Sequence, residues 1–398
     1  MRVRPSTIAW LVLIVSGNGI RGQSADPAAE MVQGIDRFLD AELKRAVLAR
    51  EQTARPGEQS RDRLRKILGI VDQRISPVEV LQDAAFGKSS LVAETPAYKI
   101  YSVRWPVLQG IDAEGLLLEP ALPPRAAVVA LPDADWSPEQ ISGVSPGIPA
   151  PAQYARTLVE QGCRVLIPVL IDRKDTWSGS APFRFTNQPH REFIYRMAYQ
   201  MGRHIIGYEA QKTLAAVDWF ERTAPGLPVG VAGYGEGGLI ALYSAAVEPR
   251  IKAALVSGYF GPRERLFEEP IYRNVWGLLR EFGDAELAGM VAPRGLVVEA
   301  SRGAAVQGPP GESTARRGAA PGFLRSPLVA EVRRELERAR RFFDKGGPRM
   351  VVSGDGDGPP GSPAAISGFL TLLKVSPQPR PEPARLRIAT VPNIESRL

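Results

Sequence analysis

The chain has 398 residues, of which 44% are hydrophobic and 23% are charged, enough for one large α/β domain with an appendage or for two modest domains. The formal charge is +7, from 50 basic and 43 acidic residues. The arginines are spread along the chain, so no basic block of the kind that follows a nucleic-acid backbone is present, and no nucleic-acid partner is predicted. A single cysteine, Cys163, excludes an intrachain disulfide.

Residues 1–24 have the pattern of an export signal peptide. Arg2 and Arg4 supply positive charge, and a short apolar run from Ile8 to Val15 follows. This run is too short to span a bilayer, and small and polar residues come after it. We therefore expect cleavage near Gly22 to Ala25, a periplasmic or extracellular protein, and no stable membrane span after cleavage. The alternative is an N-terminal helix that anchors the chain in a membrane.

Residues 25–97 are predicted to form a helical N-terminal extension. Apolar residues recur at helical spacing over residues 28–54, and a second helix is predicted over residues 62–71. The apolar positions of the first helix are Met31, Ile35, Phe38, Leu39 and Leu43.

Residues 98–376 alternate between strands and helices. Two strands, at 98–107 and 111–119, flank Gln109-Gly110, which predicts a hairpin. Further strands are predicted at 126–131, 164–171, 228–233, 253–257, 295–299 and 349–353. Helices are predicted at 151–161, 205–223, 237–247, 328–343 and 364–374. Short apolar strands in this alternation predict an α/β fold, with a mostly parallel sheet, an antiparallel N-terminal hairpin, and helices on both faces.

Two long segments interrupt the alternation, at 172–204 and 261–293, the second with helical spacing. Insertions at the carboxyl ends of parallel strands usually build the rim of a pocket. Residues 303–321, rich in Gly, Pro, Ala and Arg, predict a disordered loop. Residues 377–398 predict a loose tail rich in Pro and Arg.

A glycine-rich motif lies where the strand at 228–233 turns into the next helix. Its sequence is Gly233-Tyr234-Gly235-Glu236-Gly237, followed by Gly238. It resembles the nucleophile elbow of the α/β-hydrolases, G-x-S-x-G, with Gly235 at the serine position. The turn lacks the Lys and Ser/Thr of a phosphate-binding loop.

The resemblance extends over residues 98–374 and implies the α/β-hydrolase fold. More narrowly, the chain resembles bacterial exported esterases of the acetylxylan-esterase and dienelactone-hydrolase type. The stretches that carry this narrower resemblance are 187–192, 202–209 and 292–294.

The resemblance also implies where a catalytic acid and a histidine would lie. Glu299, at the end of a late strand, matches the acid. No histidine follows the last strand, where the sequence runs from Ser353 to Gly358, and the two histidines of the chain, His190 and His204, both precede the elbow. Loss of one triad member costs about four to six orders of magnitude in rate. We therefore expect impaired or absent catalysis.

The backbone donors at the elbow predict an oxyanion-type pocket. The backbone N–H of Glu236 is one donor, and a second is expected from the loop after the strand at 126–131. The residues assigned to this pocket are Gly233, Tyr234, Gly235, Gly237, Asp133, Ala134 and Asp135.

Three hypotheses remain open. The first is an impaired or inactive hydrolase homologue that binds a small ester, an acylated carbohydrate or a protein partner. The second is an active hydrolase with a rearranged site that uses Glu236, His190 or His204, with Ser178 or Ser180 as a displaced partner. The third is a structural module of a larger esterase.

No cofactor and no metal are predicted. The two histidines, taken with Asp172 and Asp175, have no spacing typical of a zinc site. The sequence makes no prediction of oligomeric state.

Overall fold

The computed structural model describes residues 26–84, 89–176, 189–306, 322–344, 347–378 and 385–389. The predicted export signal lies outside these residues, as does most of the loop predicted over 303–321. The contacts divide the chain into two units, residues 1–45 and 46–398. In the first unit, the described residues form most of helix α1, Pro27–Glu51, whose last turn belongs to the second unit.

The second unit contains a long series of strands and helices. The strands are β1 Leu81–Gln82, β2 Leu91–Glu94, β3 Tyr98–Leu108, β4 Ile111–Pro120, β5 Ala126–Leu131, β6 Cys163–Pro168, β7 Val229–Tyr234, β8 Ile251–Ser257, β9 Gly295–Ala300, β10 Arg349–Val352 and β11 Arg387–Ile388. The helices are α2 Glu58–Ile67, α3 Pro138–Ile141, α4 Tyr154–Glu160, α5 His190–Tyr199, α6 Ile205–Thr223, α7 Glu236–Val247, α8 Leu278–Glu281, α9 Asp284–Val291, α10 Val329–Arg340 and α11 Pro363–Leu372.

These strands form one mixed sheet in the order β10-β9-β8-β7-β5-β6-β4-β3-β2-β11, with β1 paired to β3. The strands from β10 to β6 pair in parallel. From β6 to β11 the pairing is antiparallel, and it includes the predicted hairpin of β3 and β4. The mostly parallel sheet with an antiparallel N-terminal part is therefore confirmed.

Helices cover both faces of the sheet. Side chains of β5 alternate between two buried apolar clusters: Ala127, Val129 and Leu131 lie in one, and Ala126, Val128 and Ala130 lie in the other. Residues of α6, α7 and α9 complete the first cluster, and residues of α4 and α11 complete the second. Burial on both faces explains why the parallel strands are almost wholly apolar.

Four elements depart from the sequence expectations. The segment assigned to the N-terminal extension supplies β1 and β2 to the sheet. Part of the predicted tail supplies β11, which pairs with β2. The polar excursion over 172–204 contains helix α5, which buries Arg191 and Glu192 along with Tyr195 and Ala198. Buried charges on one face of α5 hide its apolar periodicity.

No helix within the described residues has both the length and the apolar character that a membrane crossing requires.

Candidate functional site

The turn between β7 and α7 has the geometry of a sharp elbow. Gly235 lies there with φ 56° and ψ −117°, a conformation that side-chain-bearing residues rarely adopt, and its N–H donates to the Ser257 carbonyl at 3.0 Å. A Cβ added at Gly233 or Gly237 would overlap facing backbone. Strand and helix thus approach so closely that the flanking positions admit only glycine.

Space at the nucleophile position is taken by Asp133. A Cβ at Gly235 would overlap Oδ1 of Asp133, and would lie 3.1 Å from its Cγ and 3.3 Å from the Cβ of Ala304. No side chain fits at position 235 while Asp133 keeps its place.

The carboxylate of Asp133 accepts the hydrogen bond of the predicted oxyanion donor. Its Oδ1 accepts the backbone N–H of Glu236 at 2.9 Å, and the Arg173 guanidinium grips both carboxylate oxygens, at 2.6 and 3.1 Å. Burial would raise the pKa of Asp133, but Arg173 and this N–H outweigh it and hold the pKa below its ordinary value. The N–H donor that was predicted to bind the oxyanion of a ligand therefore binds a carboxylate of the chain itself.

Glu236 lies in a cluster of three buried arginines. Its carboxylate accepts hydrogen bonds from Arg173 at 3.1 Å, Arg191 at 3.2 Å and Arg273 at 2.8 Å, and it is fully buried. We call these four residues and Asp133 the arginine cluster.

The protonation of Glu236 follows from this setting. Burial would raise its pKa, but Arg273, Arg191 and Arg173 outweigh that effect and hold the pKa well below the ordinary value. A carboxylate so strongly stabilised as the anion is a poor proton acceptor at neutral pH.

The three arginines were not identified from the sequence. Arg173 and Arg191 belong to the segment predicted as a polar excursion, and Arg273 to the second predicted rim segment. Arginines in rim segments are usually solvated, and no local pattern distinguishes these three. Only the tertiary structure identifies them, because it brings both rim segments into contact with Glu236.

Glu299, at the position of the catalytic acid, accepts three hydrogen bonds from the protein. Its carboxylate accepts a hydrogen bond from the hydroxyl of Ser257 at 2.6 Å and from the backbone N–H groups of Gly361 and Ser362 at 2.7 and 2.9 Å. These contacts join the end of β9 to the turn that precedes α11. Glu299 thus holds the backbone where a catalytic acid would orient a histidine.

His204 caps helix α6. Its Nδ1 accepts the N–H of Ile206 at 3.1 Å, and its Nε2 lies 3.1 Å from the carbonyl of Asn274. Burial lowers the pKa of His204 to about 4, although the Asn274 carbonyl favours the charged form. Both ring nitrogens are used for structure, and the ring is neutral at physiological pH.

His190 lies at the start of α5 and pairs with Asp172. The Nδ1 of His190 is 2.6 Å from Oδ1 of Asp172, and its Nε2 is 3.3 Å from the hydroxyl of Thr176. Ser178 and Ser180, considered as displaced partners of a histidine, lie outside the described residues.

A pocket of about 620 Å³ lies beside the elbow. Its lining includes the assigned residues Ala134 and Asp135. Other lining residues are Trp136, Gln140, Ser145, Leu170, Asp172 and Lys174. We call it the Trp136 pocket. An aromatic ring and apolar surface with several polar groups form a typical small-molecule site.

The wall of the Trp136 pocket is tied to the elbow strand. The ring of Trp136 packs on that of Tyr234, the last residue of β7, with centroids 4.5 Å apart and planes inclined by 34°. The ring of Trp136 is half-buried. Its remaining surface is available to a ligand.

Metal coordination has no support in the part of the chain that the structure describes. No group of three or more His, Cys, Asp and Glu side chains there could hold a metal ion.

No family model matches the sequence, and no curated protein sequence matches it either. Solved structures do match the fold. A Bacteroides fragilis protein assigned as an acetyl xylan esterase aligns over 76% of this chain and 78% of its own, with a TM-score of 0.51 and 14% identity. A glucuronoyl esterase from Solibacter usitatus covers 80% and 92%, with a TM-score of 0.51 and 13% identity.

A third structure, named methylesterase BT1017, covers 86% of this chain and 72% of its own, with a TM-score of 0.51 and 14% identity. Identities this low carry information about the fold and not about the activity. Together with the sheet order and the sharp turn at Gly235, they show that the chain has the α/β-hydrolase fold.

Proposed function

We propose that this chain is an esterase-like α/β-hydrolase-fold protein that binds a small ester or an acylated carbohydrate without hydrolysing it at the elbow. The observation that carries the proposal is the carboxylate of Asp133, which takes the Glu236 N–H and the space above Gly235. A hydrolase of this fold needs that donor for the oxyanion and that space for the nucleophile.

Charge supports the same conclusion. The side chain that follows position 235 is an anion enclosed by three arginines, and opening this cluster would leave buried charges unpaired, at a cost of several kcal/mol. The elbow therefore holds a group of buried ion pairs that is costly to open. Ligands are accommodated beside it, in the Trp136 pocket.

The choice of ligand class rests on the pocket and on the structural relatives. Aromatic rings such as that of Trp136 stack on the apolar faces of sugars and acyl groups, while Gln140 and Lys174 can donate hydrogen bonds to ester and hydroxyl oxygens. The similar structures bear the names of esterases, two of them acetyl xylan and glucuronoyl esterases.

Calorimetric titration with acetylated xylo-oligosaccharides and with their deacetylated forms tests this function. We expect saturable binding of the acetylated form, weakened at least about tenfold by Trp136→Ala, since the aromatic contact is lost. Trp276→Ala is the matched control, because Trp276 is exposed and lines a different cleft. Equal binding by wild type and Trp136→Ala, or no binding at all, would refute the proposed pocket.

A second function, an active hydrolase with a rearranged site, is favoured by one observation. The 2.6 Å pairing of His190 with Asp172 orients an imidazole as a general base requires, and Asp172 lines the Trp136 pocket.

We also propose that the protein is exported, with residues 1–24 as the signal. The basic residues Arg2 and Arg4 before an apolar run that is too short to span a bilayer support this. N-terminal sequencing of protein from the periplasm or medium tests it: a start near Gly22 to Ala25 is expected, and retention of residue 1 in cytosolic protein would contradict it.

A further inference from the structure

A carboxylate, an imidazole and a hydroxyl form a hydrogen-bonded series that begins at Asp172, a residue of the Trp136 pocket lining. Asp172 Oδ1 lies 2.6 Å from Nδ1 of His190, and Nε2 of the same ring lies 3.3 Å from Oγ1 of Thr176. This is the order of groups that activates a hydroxyl nucleophile, and such constellations are recognised by geometry and not by position in the sequence.

The exposed fraction of the three side chains rises from the carboxylate to the hydroxyl, as this chemistry requires. Asp172 is 5% exposed, the side chain of His190 is 16% exposed, and Thr176 is exposed. A buried carboxylate fixes the ring, while the hydroxyl remains accessible to a substrate.

The carboxylate of Asp172 is itself held in place. Its Oδ1 also accepts the backbone N–H of Lys174 at 3.2 Å, and the Lys174 ammonium lies 3.5 Å from Oδ2. Both Asp172 and Lys174 line the Trp136 pocket, so an ester bound there would lie next to the carboxylate end of this series.

We propose that Thr176 is an acyl acceptor, with His190 as its general base and Asp172 as the residue that positions His190. The inference rests on the proposed ligand pocket and adds a reaction to it. The substrates are activated or small carboxylic esters.

In this reaction the Oγ of Thr176 attacks the ester carbonyl carbon, and Nε2 of His190 takes the hydroxyl proton. A new bond forms between Oγ and the acyl carbon, the bond between that carbon and the leaving oxygen breaks, and the leaving group departs with the proton from His190. Water can then hydrolyse the acyl-threonine by the reverse proton transfers. No oxidant, metal or further reactant is needed.

Acylation by p-nitrophenyl acetate, followed by peptide mapping, tests the assignment. We expect one acetyl group on Thr176, released by hydroxylamine as an ester would be. Thr176→Val should abolish the label at this position and Thr176→Ser should retain it. His190→Asn should slow labelling at least about 100-fold, the contribution of a general base.

Thr371→Val is the matched control, because Thr371 is an exposed threonine whose hydroxyl donates within helix α11. Labelling of Lys174, Ser178 or Ser180 in place of Thr176, or labelling that His190→Asn leaves unchanged, would overturn the proposal. The binding titration with Trp136→Ala reports separately on the pocket, so saturable binding without acylation would refute this inference alone.

Discussion

The backbone N–H of Glu236 donates to Oδ1 of Asp133 at 2.9 Å, across the turn where an α/β-hydrolase would hold its oxyanion. A carboxylate ligand bound at that donor and paired with an arginine would make the same contacts. Here the anion belongs to the chain, and Arg173 donates to both of its oxygens. The sharp turn therefore holds a carboxylate of the chain itself at its backbone donor.

Replacement of Gly235 by alanine is expected to destabilise the protein by about 2–5 kcal/mol. The positive φ costs about 1–2 kcal/mol for any residue with a Cβ. Displacement of Asp133 from a buried hydrogen bond adds about 1–3 kcal/mol. The free energy of unfolding in urea measures the effect.

Gly110→Ala is the matched control, since Gly110 has φ 77° and no atom within 4 Å of an added Cβ. It should therefore show only the cost of the backbone conformation. Equal losses for the two variants would mean that Asp133 does not fill the space above Gly235.

Glu236→Gln is expected to destabilise the protein by about 3–5 kcal/mol, because it removes the buried negative charge that Arg173, Arg191 and Arg273 share. Glu281→Gln removes one partner of a partly exposed pair with Arg63 and should cost less than about 1 kcal/mol. Urea unfolding of the two variants makes the comparison. A loss for Glu236→Gln no greater than that of the control would show that the arginine cluster does not stabilise the fold.

His204 should make the protein less stable in acid. Its pKa is about 4 in the folded state against about 6.5 in an unfolded chain. The unfolded state therefore binds the proton first, and stability falls as the pH drops from 6.5 through 4, by about 3 kcal/mol at pH 4.

His204→Asn keeps a side chain that can cap α6 but removes this titration. Urea unfolding at several pH values should show a weaker loss below pH 6.5 in the variant. Parallel pH profiles for the two proteins would contradict the assignment.

Asp284 should make the protein less stable as the pH rises, whereas His204 makes it less stable as the pH falls. Burial raises its pKa to about 7, despite the opposing effects of Arg263 and the Gly261 N–H. The folded state therefore holds a proton that the unfolded state releases near pH 4, and stability is lost as the pH rises from about 4 through 7, by up to about 4 kcal/mol. Asp284→Asn should be more stable than wild type at pH 8 and similar to it at pH 4, measured by urea unfolding; a variant less stable at pH 8 would refute this account.

Much of the fold follows from the sequence because burial on both sheet faces leaves a clear pattern. The six parallel strands and helix α6 appear within a few residues of their predicted bounds, and the elbow turn lies at Gly235. The pairing of β2 with β3 was missed because four residues carry too little periodicity. Helix α5 was missed because Arg191 and Glu192 point inward.

The site was less predictable than the fold. The absence of a serine and of a late histidine follows from the sequence, and so does the Glu236 N–H at the turn. The partner of that N–H could not be predicted, because Asp133 and Arg173 belong to loops after different strands and meet only in the folded sheet. Likewise, nothing local indicates that Thr176 and His190 approach each other across 14 positions.

Steady-state hydrolysis of p-nitrophenyl acetate distinguishes an elbow that does not catalyse from one that does. Wild type, Gly235→Ala and Thr176→Val are compared after circular dichroism has shown each to be folded. Any release of p-nitrophenol by the wild type should persist in Gly235→Ala and be lost in Thr176→Val. Wild-type turnover that Gly235→Ala abolishes and Thr176→Val leaves intact would contradict it.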